Sequence, residues 1–177
     1  MRREALRLVA LIEDIIHLSR FEEGMELPAS DFDALDLLSE VALDFHDAAA
    51  SRSIALSVEG ESAQLHSVRP LVKEIVGNLC DNAIKYNVEG GSVRMTLQED
   101  GGKLVIAVAD SGIGISQDDQ ERIFERFYRV EKSHSRATGG TGLGLSIVKH
   151  AAQRIGAEIT VESEPGKGSV FSVNVPY

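Results

Sequence analysis

The feature that most constrains this chain is a glycine-rich segment that leads directly into a helical pattern. Residues 139–145 read GGTGLGL, and the apolar residues that follow at helical spacing are Leu143, Ile147, Ala151 and Ile155. Glycines let backbone N–H groups approach a ligand closely, and a helix start offers unpaired donors and a positive dipole end. The segment matches neither the Walker A nor the G-x-G-x-x-G pattern. It therefore predicts a phosphate cradle of another kind, with an ordinary loop as the alternative.

Length, charge and cysteine content restrict the class of protein. The chain has 177 residues, a formal net charge of −10 and 43% hydrophobic residues, which suits one domain plus an appendage. Its acidic balance argues against nucleic acid or an anionic membrane as a partner. A single cysteine excludes a disulfide framework and favours a reducing cytosol. No apolar run approaches the roughly 20 residues of a membrane-spanning helix, and no signal peptide pattern is present.

Hydrophobic periodicity predicts a helix arm, a short linker and an α/β domain. Residues 1–23 form an amphipathic pattern, whose apolar stripe needs cover from the domain or from a helical-bundle dimer. We place the arm at residues 1–26, the linker at 27–32 and the domain at 33–177. Helices are predicted over residues 33–51, 70–86, 120–129 and 143–155, and strands over 54–58, 64–68, 92–98, 103–109, 158–163 and 169–175.

A line of polar residues follows one side of the second domain helix. Glu74, Asn78 and Asn82 are spaced i, i+4 and i+8, and Lys85 and Tyr86 complete the last turn. Amide and carboxylate oxygens are hard ligands that suit Mg²⁺, and asparagine is a poor helix former that needs a reason inside a helix. The line therefore fits a magnesium–triphosphate ligand, while a solvated helix face remains the alternative.

A second group of candidate residues follows the strand over 103–109. Asp110 can accept a hydrogen bond from an exocyclic amine, and Gly112 and Gly114 leave room for a flat ring, although a plain turn is the alternative. Aromatic and apolar residues then occupy positions 123, 124, 127 and 128. Residues 130–138 have little to bury and are interpreted as a mobile loop of the kind that forms a lid. The Gly-Lys-Gly-Ser at 166–169 is interpreted as a turn between strands.

In this order, the motifs resemble those of sensor histidine kinases. Glu-x-x-x-Asn-x-x-x-Asn-x-x-Lys-Tyr, Asp-x-Gly-x-Gly, Phe-Glu-Arg-Phe-Tyr and Gly-Gly-Thr-Gly-Leu-Gly-Leu are similar to the N, G1, F and G2 boxes of that family. The family shares its ATP-binding domain with gyrase, the MutL mismatch-repair proteins and the ninety-kilodalton heat-shock chaperone. The run SRATGGTGLGLSIVKH is most similar to phosphate-regulon sensors. The resemblance covers nearly the whole chain and implies a two-layer α/β sandwich, with a mixed, mostly antiparallel sheet and helices on one face.

The resemblance also implies a role for each matching residue. Asn78 matches the magnesium ligand, Glu74 a polarising catalytic group and Arg129 a contact to the γ-phosphate. Asp110 matches the carboxylate that accepts from the adenine N6 amine. The other residues implied to bind ATP are Asn82, Lys85, Tyr86, Gly112, Gly114, Ile115, Phe124, Tyr128, Gly140, Thr141, Gly142, Leu143 and Gly144.

The implied activity is binding of ATP with Mg²⁺ and donation of its γ-phosphoryl group to a histidine. The implied partners are a response regulator and a second copy joined through the helix at residues 1–26. The chain would be the cytoplasmic domain of a membrane sensor, with no direct membrane contact of its own. None of its five histidines has the flanking residues of the family's phosphoacceptor, so the chain resembles a catalytic fragment. Asn87 also departs from the Thr or Ser that is common after the N-box tyrosine.

Three other functions remain as alternatives. A gyrase- or MutL-type ATPase would use Glu74 as the base for water, and a serine-kinase anti-sigma factor shares the same boxes. The apolar N-terminal helix and the aromatic segment at 124–128 favour the histidine kinase over both. A non-enzymatic dimerisation module would leave the asparagine line without a purpose.

Overall fold

The computed structural model describes residue 12, residues 27–130 and residues 141–176. The predicted helix arm, Ile12 apart, lies outside these residues, as do residues 131–138 of the predicted lid and Gly140 of the predicted cradle. Within the described part of the chain, no helix is long and apolar enough to cross a bilayer. The elements, in chain order, are β1 (Ser30–Asp33), α1 (Ala34–Ala50), β2 (Ala55–Gly60), β3 (Gln64–Ser67), α2 (Arg69–Lys85), β4 (Ser92–Asp100), β5 (Lys103–Asp110), α3 (Gln117–Gln120), α4 (Gly144–Arg154), β6 (Glu158–Glu164) and β7 (Gly168–Pro176).

Five of the strands form one mixed sheet in the order β2-β4-β5-β7-β6. β2 runs parallel to β4, and the remaining pairs are antiparallel. Gly101 and Gly102 both have positive φ, 56° and 80°, which lets the chain reverse tightly between β4 and β5. Because parallel strands need a long crossover, α2 lies between β2 and β4 in the chain. The predicted mixed, mostly antiparallel sheet is confirmed.

One face of this sheet carries the core. Along β4 and β5 the buried side chains alternate with more exposed ones; the buried ones are Val93, Met95, Leu97, Leu104, Ile106 and Val108. They join buried residues of α1, α2 and α4 in one apolar cluster, so these helices cover that face. A slip of one residue would turn every one of these side chains away from the core, which fixes the register. The predicted two-layer sandwich is therefore confirmed.

The start of the packed unit differs from the sequence prediction. Residues 30–32, predicted as the end of a linker, belong to β1, which pairs antiparallel with β3. Phe32 is buried in the core, and the Asp33 carboxylate caps α1 by accepting from the N–H groups of Leu35 and Asp36. Burial of Phe32 and the two-stranded pairing hold this segment against the domain. The division of the chain at residue 26 remains a prediction.

The helix predicted over residues 120–129 is wrong. The structure has a single helical turn at Gln117–Gln120, followed by turns and bends. Phe127 has φ of 65°, a left-handed conformation that an α-helix cannot contain. The aromatic spacing that suggested a helix therefore reflects residues that pack individually onto neighbouring elements.

Candidate functional site

The glycine-rich start of α4 lies over the asparagine line of α2. A Cβ atom added to Gly144 would lie 3.0 Å from Asn78 Oδ1 and 3.9 Å from Asn82 Nδ2. The Asn78 Nδ2 group donates to the Glu74 carbonyl at 2.9 Å, which fixes the direction of the amide. Packing of α4 on α2 thus brings together two motifs that are far apart in the sequence. A side chain at position 144 would press on the Asn78 amide.

Asn82 and Lys85 extend this line towards the end of α2. The Asn82 side chain makes no hydrogen bond to the parts of the chain that the structure describes, so its amide is available to a ligand. The Lys85 ammonium pairs with Asp81, four residues earlier on the same helix. Sequence reasoning missed Asp81, although an acidic residue at i−4 from a lysine is a recognisable pairing pattern. A phosphate bound by Lys85 would therefore share the lysine ammonium group with the Asp81 carboxylate.

The loop that begins at Asp110 rests on the end of α2. The Gly112 N–H donates to Asp110 Oδ1 at 2.7 Å, and the Ile113 N–H donates to the Tyr86 carbonyl at 3.1 Å. A Cβ atom at Gly112 would lie 2.4 Å from the Tyr86 carbonyl oxygen, so only glycine allows this approach. The structure therefore brings Asp110, Gly112 and Tyr86 together.

The Asp110 carboxyl group has an altered acidity. Burial raises its pKa above the ordinary aspartate value, and hydrogen bonds from the backbone N–H groups of Gly112 and Ser169 oppose that shift in part. A half-buried carboxylate that keeps accepting capacity is suited to bind a donor such as an amine. Perturbed acidity in a recess is also typical of functional sites.

The turn between β6 and β7 packs directly on the loop that follows Asp110. A Cβ at Gly114, where φ is 69°, would lie 2.0 Å from the Glu164 carbonyl oxygen. A Cβ at Gly168, where φ is 98°, would lie 1.9 Å from the Asp110 carbonyl oxygen. The Gly166 N–H donates to the Ile113 carbonyl at 2.8 Å. Residues 165–167 do form a turn, yet this turn and Gly168 also pack against the loop after Asp110, which no local pattern in the sequence indicates.

Two hydrogen-bonding side chains strengthen this junction. Ser163 Oγ accepts from the Ile115 N–H at 2.8 Å and donates to the Gly168 carbonyl at 2.9 Å. The Gln120 Nε2 group donates to the Ile115 carbonyl at 3.1 Å and to the Ser163 carbonyl at 2.9 Å. Ile115, predicted to contact the ligand, is thus held through its backbone between α3 and β6.

Phe124 and Tyr128, which were predicted to bind ATP, contact other side chains of the protein. Phe124 stands edge-on to Phe171 of β7, with ring centroids 6.4 Å apart. The Tyr128 hydroxyl donates to Asp119, and the Arg122 guanidinium carbon lies 4.2 Å from the Tyr128 ring centre. The pKa of Asp119 is lowered, mainly by hydrogen bonds from Ser116 and then Tyr128. These contacts place Phe124 and Tyr128 in packing roles around the site.

The aromatic segment also meets the glycine-rich segment. The Phe127 N–H donates to the Gly142 carbonyl at 2.9 Å, and a Cβ at Gly142 would lie 3.0 Å from Phe127 Cα. Phe127 itself is 60% exposed. Leu143 is buried and packs inward, so it offers backbone rather than side chain to a ligand. Thr141 Oγ1 accepts from the Leu143 N–H at 3.3 Å and supports the start of α4.

The described residues contain no cluster of three or more His, Cys, Asp or Glu side chains that could hold a metal. The side-chain oxygens of the α2 line, on Glu74, Asn78 and Asn82, are hard ligands of the kind that suit Mg²⁺. Arg129 is partly exposed beside the aromatic segment. Cys80 is buried on α2, and burial raises the pKa of its thiol to about 12, which fits a packing role.

Comparison with known proteins gives a consistent family. The model for histidine kinase-, DNA gyrase B- and HSP90-like ATPases matches residues 67–177. The sensor-like histidine kinase SenX3 of Mycolicibacterium smegmatis is 43% identical over 180 residues, covering 99% of this chain and 46% of that protein. The chain thus spans less than half the length of this relative.

Solved structures agree with the same fold. Full-length ShkA in complex with AMPPNP superposes with a TM-score of 0.83 at 31% identity, covering 96% of this chain and 35% of that one. Histidine kinase ThkA in complex with the response regulator TrrA superposes with a TM-score of 0.77 at 26% identity, covering 98% and 48%. The elements that bring Asn78, Asp110 and Gly144 together lie within these matched regions.

Proposed function

The chain belongs to the histidine kinase-, DNA gyrase B- and HSP90-like ATPase family, and we propose that it binds ATP with Mg²⁺ and donates the γ-phosphoryl group to a histidine. One observation carries the proposal: the glycine-rich start of α4 lies over the Asn78 amide, while the Asp110 loop rests on the far end of the same helix. The proposed phosphate-binding part of the site thus begins at Asn78, in the middle of α2, and the proposed base-binding part lies at Tyr86, where the helix ends.

In the base-binding part of the site, Asp110 accepts a hydrogen bond from the adenine N6 amine. Because Gly112 and Gly114 lack side chains, the loop lies close against the Tyr86 and Glu164 carbonyls, and this packing fixes the backbone beside Asp110. Ile115 completes the wall of the pocket, and Phe124 and Tyr128 support it by packing around the site. The half-buried carboxylate makes this hydrogen bond strong, since water competes less for it.

In the phosphate-binding part of the site, amide oxygens of the α2 line would hold Mg²⁺. Asn78 is our first candidate for the ligand, because the hydrogen bond from Nδ2 to the Glu74 carbonyl leaves Oδ1 as the group that faces α4. Asn82, whose amide is free of the described residues, is the second candidate. When bound, Mg²⁺ neutralises phosphate charge and orients the triphosphate. Glu74, one turn before Asn78 on α2, would be the polarising group beside the metal.

The remaining residues position the phosphates. Lys85 and Arg129 supply positive charge, with Arg129 at the γ-phosphate, and the backbone of residues 140–144 supplies N–H donors at the start of α4. In the transfer, a histidine ring nitrogen attacks the γ-phosphorus, the bond to the β–γ bridging oxygen breaks, and ADP leaves. Catalysis is then mostly positioning and charge neutralisation.

The partners follow from the relatives. The ThkA structure contains a response regulator and the ShkA structure contains AMPPNP. These complexes support a response regulator and ATP as partners of this chain. We also propose that residues 1–26 form a homodimer in an intact kinase that is a membrane sensor. The run SRATGGTGLGLSIVKH, which resembles phosphate-regulon sensors, supports a sensor of that type.

Titration calorimetry tests the binding proposal. We expect ATP to bind in the presence of Mg²⁺ and to bind at least about tenfold more weakly in excess EDTA, because the phosphates lose their counter-charge. Asn78→Ala and Asn82→Ala should weaken ATP binding and leave adenosine binding unchanged. The variant in which Mg²⁺ strengthens ATP binding least identifies the residue that binds the metal. Asn174→Ala, on β7, is the matched control. Failure of the unaltered chain to bind either ligand would overturn the proposal.

Labelling with γ-labelled ATP tests the transfer. We expect acid-labile, base-stable label on an added helical bundle that carries an acceptor histidine, and none on the chain itself. A phosphoryl acceptor needs a defined approach to the γ-phosphorus, which none of the five histidines here has in its flanking sequence. The transfer will be weak because the two parts are not tethered. Label on the isolated chain at close to one per molecule would contradict this expectation.

A further inference from the structure

Arg52 lies in the short connection between α1 and β2, outside every motif considered above. Its guanidinium group reaches the end of α2, where Nη1 donates to the Lys85 carbonyl at 3.0 Å and also to the Ile84 carbonyl. Nη2 donates to the Asn87 carbonyl at 2.8 Å. The Arg52 carbonyl in turn accepts from the Gly90 N–H at 3.2 Å, so the residue is anchored at both its backbone and its side chain.

Two of the three carbonyls that Arg52 binds, those of Ile84 and Lys85, belong to the last turn of α2, and the third, that of Asn87, lies just beyond it. The last four carbonyls of an α-helix have no intrahelical donor, and the helix dipole makes that end negative. A planar guanidinium with several fixed donors can serve three carbonyls at once, whereas a lysine ammonium acts as a point charge. Arg52 therefore fixes the position of the last turn of α2 and stabilises its charge.

A buried asparagine carries this constraint on to the loop after Asp110. Asn87 is 5% exposed, and its Nδ2 group donates to the Ser92 carbonyl at 2.9 Å. Its Oδ1 accepts from the Ser111 hydroxyl at 3.2 Å, and Ser111 Oγ accepts from the Ser92 N–H at 2.8 Å. Ser111 directly follows Asp110. One continuous set of hydrogen bonds therefore joins Arg52, the end of α2 and the Asp110 loop.

We propose that Arg52 is a positioning residue for the nucleotide site. It holds the last turn of α2 so that Lys85 and Tyr86 keep their places relative to Asp110 and Gly112. The inference rests on the proposed function, since it assigns these residues to ATP. Arg52 itself does not touch the ligand, and it acts through the backbone of the helix that does.

The test compares two arginines that serve opposite ends of α2. Arg69, in the first turn, pairs with Glu40 and lies 6.0 Å from the Phe32 ring centre. We expect Arg52→Gln and Arg69→Gln both to lower the melting temperature, because each loses a half-buried charged contact. Only Arg52→Gln should weaken ATP·Mg²⁺ binding, by about fivefold or more, the scale of a typical coupling between sites. Arg52→Lys should recover part of this loss.

Binding is measured at a temperature where all variants are fully folded, so that lost stability alone leaves the affinity unchanged. Hydrogen exchange gives a second readout: the amides of Gly112 and Ile113 should exchange faster in Arg52→Gln and unchanged in Arg69→Gln. Wild-type affinity in Arg52→Gln, or an equal loss in both variants, would overturn the inference while the proposed function stands. An unaltered chain that binds no ATP·Mg²⁺ would overturn both together.

Discussion

Asp110→Asn is expected to remove most of the ATP affinity and, at neutral pH, to leave the folded chain more stable than before. The loss of affinity follows because the amide presents a weaker, neutral acceptor to the adenine amine. Hydrogen bonds to charged groups contribute about 1.5–3 kcal/mol, which corresponds to roughly 10- to 150-fold in affinity. Adenosine binding should fall by a similar factor, because the change acts on the base and not on the phosphates.

The gain in stability follows from the acidity of the same group. Burial raises the pKa of Asp110 in the folded chain, so its contribution to stability is present below the ordinary aspartate pKa and is lost as the pH rises through the raised one. Asparagine is neutral at every pH and avoids that cost. The difference in free energy of unfolding between the two forms should therefore grow as the pH rises across this window and then level off.

Calorimetric titration and thermal unfolding across pH measure the two effects on the same samples. Asp118→Asn, on the exposed side of α3, is the matched control and should change neither quantity. Because stability and affinity move in opposite directions, unfolding cannot account for the loss of binding. Unchanged affinity for ATP in Asp110→Asn would show that the base binds elsewhere.

Gly114→Ala is expected to destabilise the chain strongly, and far more than Gly166→Ala does. Both glycines have positive φ, 69° and 79°, so each substitution meets the same conformational cost of about 1–2 kcal/mol. At Gly166 a Cβ has nothing within 4 Å, whereas at Gly114 it would lie 2.0 Å from the Glu164 carbonyl oxygen. The β6–β7 turn and the loop after Asp110 are both held by hydrogen bonds, so their backbone cannot move aside as a flexible side chain would.

We expect a total cost at Gly114 of about 3 kcal/mol or more, above the usual effect of a point mutation. Thermal unfolding of the two alanine variants measures the difference, and ATP titration shows whether the loop keeps its shape. If the two variants melt together, the β6–β7 turn moves aside to make room for the methyl group. That result would contradict the rigid junction inferred between this turn and the Asp110 loop.

Local pattern was enough to predict the elements that carry the asparagine line, Asp110 and the glycine-rich segment, but the helix it predicted at 120–129 is wrong. The four-residue repeat of α2 and the alternation of β4 and β5 are strong periodic signals, and the observed bounds differ from the prediction by only a few residues. The order of the motifs then suggested that Asn78, Asp110 and Gly144 share one site, and the structure places these residues along α2. Residues 131–140 lie outside the described part of the chain, so the predicted lid and Gly140 stay predictions.

The parts that the sequence could not predict all depend on contacts between distant segments. Arg52 looks like an ordinary loop arginine until the end of α2 is seen beside it. The left-handed Phe127 ends any helix there, yet its position is set by the Gly142 carbonyl and not by its neighbours in the chain. Phe32 looked like linker because Pro28, Ser30 and Asp31, close to it in sequence, are typical of loops, whereas pairing with β3 makes this segment a strand. Tertiary context decided each of these cases over local preference.

The position of β7 has a consequence for how this fold can be made. β7 is the last strand in the chain, yet it lies inside the sheet, between β5 and β6. During synthesis the preceding strands can form the β4–β5 hairpin, but β6 has no place in the sheet until residues 168–176 have left the ribosome. The same residues hold the carbonyl of Asp110 against Gly168. A nascent chain should therefore acquire its ability to bind nucleotide only once residues 168–176 have emerged, and deletion of these residues should abolish that ability together with the fold.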